Sequence, residues 1–241
     1  MNSIDKSSYL IDLDGTLVSA GKVLPGAKAL LKCLGERYVV VSNNAEHTPA
    51  QLSRHLLKIG LTIPEERIIL AGTVAIEMLA REKPRCRVLL LASAALQRYA
   101  THCGLSVVRD SADVVLVGRD RLFNYEKLER AANAVRAGAE LVVANPDLVH
   151  PGRAGRVVPE SGALMRAILA CTGPVNVRVV GKPEAELFRR GIARLGAEGR
   201  PVAVIGDNPD TDGAGAHRLG LEFVSASRGL VAAMPFLEDH S

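Results

Sequence analysis

Short apolar runs alternate with segments of helical spacing along almost the whole of this chain. The runs at 9–13, 38–41, 88–91, 114–117, 141–144, 177–180 and 202–205 are bounded by polar or turn residues, and each reads as a buried strand. Between them, residues 25–35, 48–59, 96–103, 125–137, 163–170 and 184–195 carry helical patterns. Pro25 falls near the first turn of its helix and Gly35 near its end, and Thr48-Pro49 reads as an N-cap followed by proline at the first helical position. Strands alternating with helices of about 10–15 residues imply βαβ units and parallel sheets, an α/β fold. No repeat or flexible linker interrupts the pattern, so domain boundaries are expected in short loops. Polar residues recur at strand ends: Asp12 after the first strand, Ser42 after the second and Asp207 after 202–205. Ligands of open parallel sheets bind outside the carboxyl ends of the strands, so these three groups point to one shared site.

Composition narrows the function classes. The 241 residues allow one large domain or two modest ones. Net charge is +4, no dense Lys/Arg block occurs, and aromatics make up only 3%. That argues against a nucleic-acid surface built on stacking rings and basic stripes. The longest apolar run, 88–96, falls far short of the roughly 20 residues that span a bilayer. The opening residues, M-N-S-I-D-K-S-S, lack the apolar stretch of a signal peptide, so a cytoplasmic location without membrane attachment is expected. Cys33, Cys86, Cys103 and Cys171 show no C-x-x-C spacing, which favours free thiols over disulfides or a zinc site.

Four short motifs carry candidate chemistry. In D-L-D-G-T, Asp12 and Asp14 would emerge on one side of an extended strand. Two nearby carboxylates push their pKa values apart unless a cation neutralises them, which suits an acid/base pair, a metal site, or simply an Asp-Gly turn. An EF-hand is excluded, because Leu17 stands where the turn glycine is needed and Val23 where the final glutamate is needed. V-S-N-N-A, with Ser42 and Asn43, is either an oxyanion-holding loop or an ordinary turn. Lys182 in G-K-P could offer a point charge to a phosphate or stand in solvent. G-D-N-P-D-T-D, residues 206–212, holds three carboxylates, enough for a hard cation such as Mg²⁺ or for an acidic turn.

Taken together, in this order and each beside an expected strand, the motifs resemble those of the haloacid-dehalogenase-like hydrolase superfamily. The long insertion between Ser42 and Lys182 resembles a C2-type cap, and residues 117–128 and 144–147 are similar to the cap of the NagD-like and 4-nitrophenylphosphatase-like subgroup. The resemblance implies a Rossmann-like core at 1–70 and 176–241, with an α/β cap at 71–175. It implies a Mg²⁺-dependent phosphatase acting on a small-molecule phosphomonoester through an aspartyl-phosphate; phosphotransfer to another acceptor, or ligand binding without catalysis, are the alternatives. Asp12 would be the nucleophile and Asp14 the acid/base. Mg²⁺ would be held by Asp12, Asp207 and the Asp14 carbonyl, with Asp212 and Asn208 behind them. Ser42, the Asn43 amide and Lys182 would hold phosphate oxygens, residues 15–21 would form a small flap, and Asn145 and its neighbours up to His150 are candidates for leaving-group contact, although a histidine before a proline reads more simply as a loop residue than as a substrate contact. Arg119 and Asp120 are expected only to pin the cap loop. Caps of this type often carry dimer contacts in the family, which makes a homodimer the expected assembly. Two features depart from the family pattern: Glu160-Ser161 stands where a glycine-rich turn is usual, and the tail after Arg228 is atypical. Both bear on substrate rather than on reaction type.

Overall fold

The computed structural model describes residues 8–152 and 155–231. In chain order the elements are β1 (Ser8–Ile11), β2 (Val18–Ser19), β3 (Lys22–Val23), α1 (Ala27–Leu34), β4 (Tyr38–Ser42), α2 (Pro49–Lys58), β5 (Ile68–Leu70) and α3 (Ala71–Glu82). Then come β6 (Arg87–Leu91), α4 (Ala94–His102), β7 (Ser106–Val107), β8 (Val114–Val117), α5 (Tyr125–Arg136), β9 (Glu140–Val143), β10 (Val149–Pro151) and β11 (Val157–Pro159). The chain continues through α6 (Ser161–Thr172), β12 (Val177–Val179), α7 (Ala185–Leu195), β13 (Val202–Gly206), α8 (Ala214–Arg218) and β14 (Glu222–Ser225). The α/β fold expected from the alternation is present, with parallel five-stranded sheets as its frame.

The chain divides into two units. The first runs up to Ser42, resumes over Pro49–Ile69 and again from Lys182; the second comprises Asn43–Thr48 and Leu70–Gly181. Residues 176–181, expected in the first domain, are therefore in the second. The reason is strand pairing: Val177, Arg178 and Val179 lie in parallel register with Leu141, Val142 and Val143. Of the atypical tail, residues 232–241 fall outside the described residues.

The sheet of the first unit has the order β14-β13-β1-β4-β5. Leu10 faces Val204 on one side and Val39 on the other, and β1, β4 and β13 are buried nearly throughout. Strands covered on both faces are apolar runs rather than alternations, which is why they were legible as such. The helix α7 lies close against this sheet: a Cβ on Gly191 would come within 2.5 Å of the Leu10 side chain. Because β1 leads to β4 on one side and pairs with β13 on the other, the chain order reverses between β1 and β13. That is the switch point at which the carboxyl ends of neighbouring strands open a crevice. Asp12 and Asp207 follow these two strands directly.

The sheet of the second unit has the order β12-β9-β8-β6-β7, with parallel pairs. Leu89, Leu91, Val115, Val117, Leu141 and Val143 pack with Ala131 and Val135 of α5 and Met165 and Ile168 of α6. The antiparallel pair β10–β11 forms a separate two-stranded sheet, with His150 opposite Val158. Helix α3 was not expected. Eight of its first nine residues are buried, so it has no polar stripe to betray a period, and its N-cap position, Leu70, makes no side-chain cap. Among the described residues no helix is long and apolar enough to cross a membrane.

Candidate active site

The first strand ends at Ile11, two residues earlier than its apolar run, so strand alternation does not reach Asp14. Asp12 keeps one strand bond, its amide donating to the Ile205 carbonyl at 2.8 Å, and is 7% exposed. Beyond it the chain turns sharply. Gly15 has φ +93° and donates to the Val18 carbonyl at 2.8 Å, while Asp14 bridges to Val18 and is exposed. Glycine is demanded here twice over: the positive φ is strained for other residues, and a Cβ would lie 2.2 Å from Oδ2 of Asp207. The residues after the turn form the antiparallel β2–β3 ribbon where a small flap was expected.

Lys182 is only 2% exposed, and Asp212 only 1%. The Lys182 Nζ donates to Asp12 Oδ1 at 2.5 Å and to Asp212 Oδ1 at 2.6 Å. The other Asp12 oxygen, Oδ2, accepts from the Thr16 hydroxyl at 3.1 Å; the same hydroxyl lies 3.3 Å from Asp207 Oδ1. A hydroxyl has one hydrogen, so Thr16 serves one of these carboxylates at a time. Asp212 is seated by the local turn: its amide donates to the Asn208 carbonyl at 2.9 Å, and the Asn208 amide approaches Asp212 Oδ2 at 3.4 Å. The Asn208 side chain instead caps the turn, accepting from the Asp210 amide at 2.9 Å. Gly206 makes room for this seat, since a Cβ there would come within 2.3 Å of Asp212 Oδ2.

The electrostatics follow from burial. Desolvation works against the Lys182 ammonium, but the attraction of Asp12 and Asp212 together exceeds it, and the lysine pKa lies above its ordinary value. Burial pushes Asp212 up to about 6, more than Lys182 draws it down, and Asp12 adds to the rise. Both partners shift upward: the lysine because two carboxylates face it, Asp212 because burial outweighs the pull of Lys182. Burial, then the charge of Asp12, also raises Asp207. Carboxylate oxygens of Asp12, Asp207 and Asp212 lie within 4.8 Å of one another. Three carboxylates against one ammonium leave an excess of negative charge on hard oxygen donors, which suits a divalent cation such as Mg²⁺.

Of the residues singled out from sequence, Asp12, Lys182, Asp207 and Asp212 come together. Asp212 was expected only behind the others, yet it bonds Lys182 directly. Ser42 ends β4 and is buried. Thr16 was missed, although it closes the D-x-D-G-T motif four residues after Asp12. The remaining candidates belong to the second unit. Asn43 donates through its side chain to Asp147 at 3.0 Å. Asn145 donates to the Asn43 carbonyl at 2.6 Å and accepts from the Asp147 amide at 3.1 Å, so both ends of its amide hold the loop. His150 Nδ1 lies 2.6 Å from Glu160 Oε1. Asp120 accepts from the Leu122 amide at 2.9 Å and from Lys127 at 2.6 Å, a loop pin as expected. Arg119 contacts Glu46 at 3.1 Å and Glu160 at 3.3 Å, both through Nη1. Burial raises the Glu160 pKa, opposed by Arg119 and His150.

Residues 9–106 match the family model of haloacid dehalogenase-like hydrolases, and residues 179–233 match a second, HAD-hydrolase-like model. An acid sugar phosphatase from Staphylococcus aureus is 30% identical, the match covering 92% of this chain and 87% of that protein. The glycerol phosphate phosphatase of Mycobacterium tuberculosis, solved in complex with magnesium, superposes with a TM-score of 0.84 at 33% identity, over 93% of this chain and 69% of its own. The 4-nitrophenylphosphatase of Thermotoga maritima gives a TM-score of 0.84 at 27% identity, over 90% and 84% of the two chains. The two model matches take in Asp12, Lys182, Asp207 and Asp212, and with these likenesses the chain belongs to the haloacid dehalogenase-like hydrolases, among the phosphatases that include NagD and the 4-nitrophenylphosphatases.

Proposed function

We propose that this protein is a Mg²⁺-dependent phosphatase that hydrolyses a small, hydroxyl-bearing phosphomonoester through an aspartyl-phosphate on Asp12. The observation that carries the proposal is the buried Asp12–Lys182–Asp212 chain with Asp207 beside it, at the switch point of the parallel sheet. The names of the acid sugar and glycerol phosphate phosphatases support the substrate class.

Asp12 is oriented for attack chiefly by Lys182, which donates to Oδ1, with the Thr16 hydroxyl in reach of Oδ2. Its carboxylate forms a bond to phosphorus as the bond from phosphorus to the leaving oxygen breaks, which divides one hard step into two. Asp14, exposed at the turn, gives its proton to the leaving oxygen. It then takes a proton from water, which attacks phosphorus, breaks the bond to Asp12 and releases inorganic phosphate. The Lys182 ammonium, the Ser42 hydroxyl and the Asn43 amide hold the phosphoryl oxygens, and fixed donors do so without reorganising. Asp12, Asp207 and the Asp14 carbonyl would hold Mg²⁺, with Asp212 and Asn208 supporting them. When bound, the ion supplies positive charge to offset that of the carboxylates and the phosphoryl oxygens. The second unit corresponds to the cap that the resemblance implies.

Phosphate release from glycerol 3-phosphate, a set of sugar phosphates and 4-nitrophenyl phosphate tests the proposal, with Mg²⁺ and with EDTA, for wild type and Asp12→Asn. Release by wild type with Mg²⁺, lost in EDTA and in Asp12→Asn, is the expected result. Equal release by Asp12→Asn would overturn the nucleophile, and equal release in EDTA would overturn the metal.

A further inference from the structure

The segment that follows β4 is held by a closed ring of hydrogen bonds inside the second unit. Asn145, just after β9, donates from Nδ2 to the Asn43 carbonyl at 2.6 Å and accepts at Oδ1 from the Asp147 amide at 3.1 Å. Asp147 closes the ring, its Oδ2 accepting from Asn43 Nδ2 at 3.0 Å. A carbonyl can only accept and a backbone amide can only donate, so one orientation of the Asn145 side chain satisfies both. Asn145 is buried, where leaving either bond unmade is costly. Residue 43 is thus held through two substituents of its Cα, the carbonyl and the side chain, and that leaves the third, the amide nitrogen, little freedom. Gly181 closes in beside it: a Cβ there would lie 2.6 Å from Asn43 Oδ1. The next residues are tied to the same unit. The Gly72 amide donates to the Asn44 carbonyl at 3.1 Å and the Arg119 amide to the Ala45 carbonyl at 2.9 Å. Asn44 Oδ1 accepts from the Glu46 amide at 3.1 Å and the His47 amide at 2.9 Å, which stiffens the turn. The Asn43 amide itself lies in the planar peptide that joins it to Ser42, the last residue of β4.

We infer that Asn145 is a positioning residue for the phosphoryl group: with Asp147, and through Asn43, it sets the direction of the Asn43 amide hydrogen. The inference rests on the reading that this amide holds a phosphoryl oxygen. A donor fixed in advance stabilises charge on that oxygen without having to reorganise. Asn145 thereby acts on the part that every phosphomonoester shares, not on the leaving group. Its loss weakens all such esters, and inorganic phosphate itself, by one common factor. A residue that touched the leaving group would instead discriminate among esters and leave inorganic phosphate alone.

The test uses Asn145→Asp, which keeps the acceptor for the Asp147 amide and loses the donor to Asn43. Beside it stand Asp147→Ala and Asp147→Asn, of which only the second keeps an acceptor for Asn43 Nδ2. Ser42-Asn43 is the only Ser-Asn pair in the chain, so NMR-active isotopes at serine carbonyl carbons and asparagine nitrogens select this one amide. Inorganic phosphate, titrated with Mg²⁺ present, should shift that resonance in wild type, and its Kd should rise about tenfold in Asn145→Asp and in Asp147→Ala. kcat/KM for glycerol 3-phosphate and for 4-nitrophenyl phosphate should fall by about the same tenfold, the two losses agreeing within about twofold. Asp147→Asn should recover most of what Asp147→Ala loses. A residue that merely supports the fold would lower Tm and leave the phosphate Kd of the folded protein unchanged. Should Asn145→Asp fail to fold, the Asp147 pair, at a partly exposed position, decides the matter. A phosphate Kd unchanged in the loss variants, or unequal losses for the two esters, would overturn the inference alone. A wild-type amide that phosphate does not shift would overturn the phosphate role of Asn43 and the inference with it. Wild type that hydrolyses neither ester would overturn the phosphatase reading, and the phosphate titration would still decide what Asn145 does.

Discussion

Replacing Lys182 by methionine keeps the length of the side chain and removes its charge. In the folded protein that charge sits 2.5 Å from Asp12 Oδ1 and 2.6 Å from Asp212 Oδ1, with all three groups buried. Breaking a buried pair by removing one partner costs about 3–5 kcal/mol, because the remaining charge has neither water nor a counter-ion. Two carboxylates lose their ammonium here, so the upper part of that range applies while both stay ionised. They can escape by taking protons. The Asp212 pKa is already raised, to about 6 against an ordinary 3.8, and loss of the lysine raises it further. A carboxyl raised in the folded state favours folding below its unfolded value and loses that advantage as pH climbs through its folded value. The deficit of Lys182→Met should therefore be small near pH 4 and grow through about pH 6 to a plateau at higher pH. For a chain of this size, about 3–5 kcal/mol corresponds to a Tm lower by roughly 6–20 °C. Circular dichroism melts in EDTA, so that no cation replaces the lysine, read this directly. Adding Asp212→Asn to Lys182→Met should recover at least part of the loss. A Tm within about 2 °C of wild type at pH 8 would refute the reasoning, since it would mean that the ammonium is not holding these carboxylates.

Other expectations follow from single contacts. Gly15→Ala forces φ +93° on an alanine and drives a Cβ to 2.2 Å from Asp207 Oδ2. It should cost about 1–2 kcal/mol from the backbone alone and abolish metal-dependent turnover, so wild-type kcat/KM and Tm would contradict it. Cys33 and Cys171 are exposed, whereas burial raises the Cys86 and Cys103 thiols. Timed alkylation followed by mass spectrometry should label the first two rapidly and the second two slowly. Hydrogen bonds from Arg87 hold the Asp113 carboxyl down at about 2. The contribution of this pair is present above the ordinary carboxylate value and is lost as pH falls towards 2, so Asp113→Asn should flatten the fall of Tm between about pH 5 and pH 2.

Much of the frame was legible because its signals are local. The strands buried on both faces are unbroken apolar runs, and β8 occupies the residues read from its run, Val114–Val117. Helices α5 and α7 differ from their expected spans by one residue at an end, because a polar face and capping residues mark them. Asp12 and Asp207 stood out because each directly follows such a strand, and Lys182 because it lies in the short turn between β12 and α7. Helix α3 escaped for the converse reason: with almost no polar face, it carries no period.

What the sequence determined by itself was the alternation of strands and helices and the polar residues at strand ends, both written in patterns a few residues long. What only the tertiary structure decided was which distant pieces meet. Residues 43–48 join the second unit, and Val177–Val179 pairs with the Glu140–Val143 strand. Lys182 reaches Asp12, 170 residues away, and shares its charge with Asp212. His150 finds Glu160, and Thr16 stands between two carboxylates. Local spacing specifies each element through backbone geometry and burial, but partners far apart in the chain are chosen by strand order and packing, which no short pattern encodes.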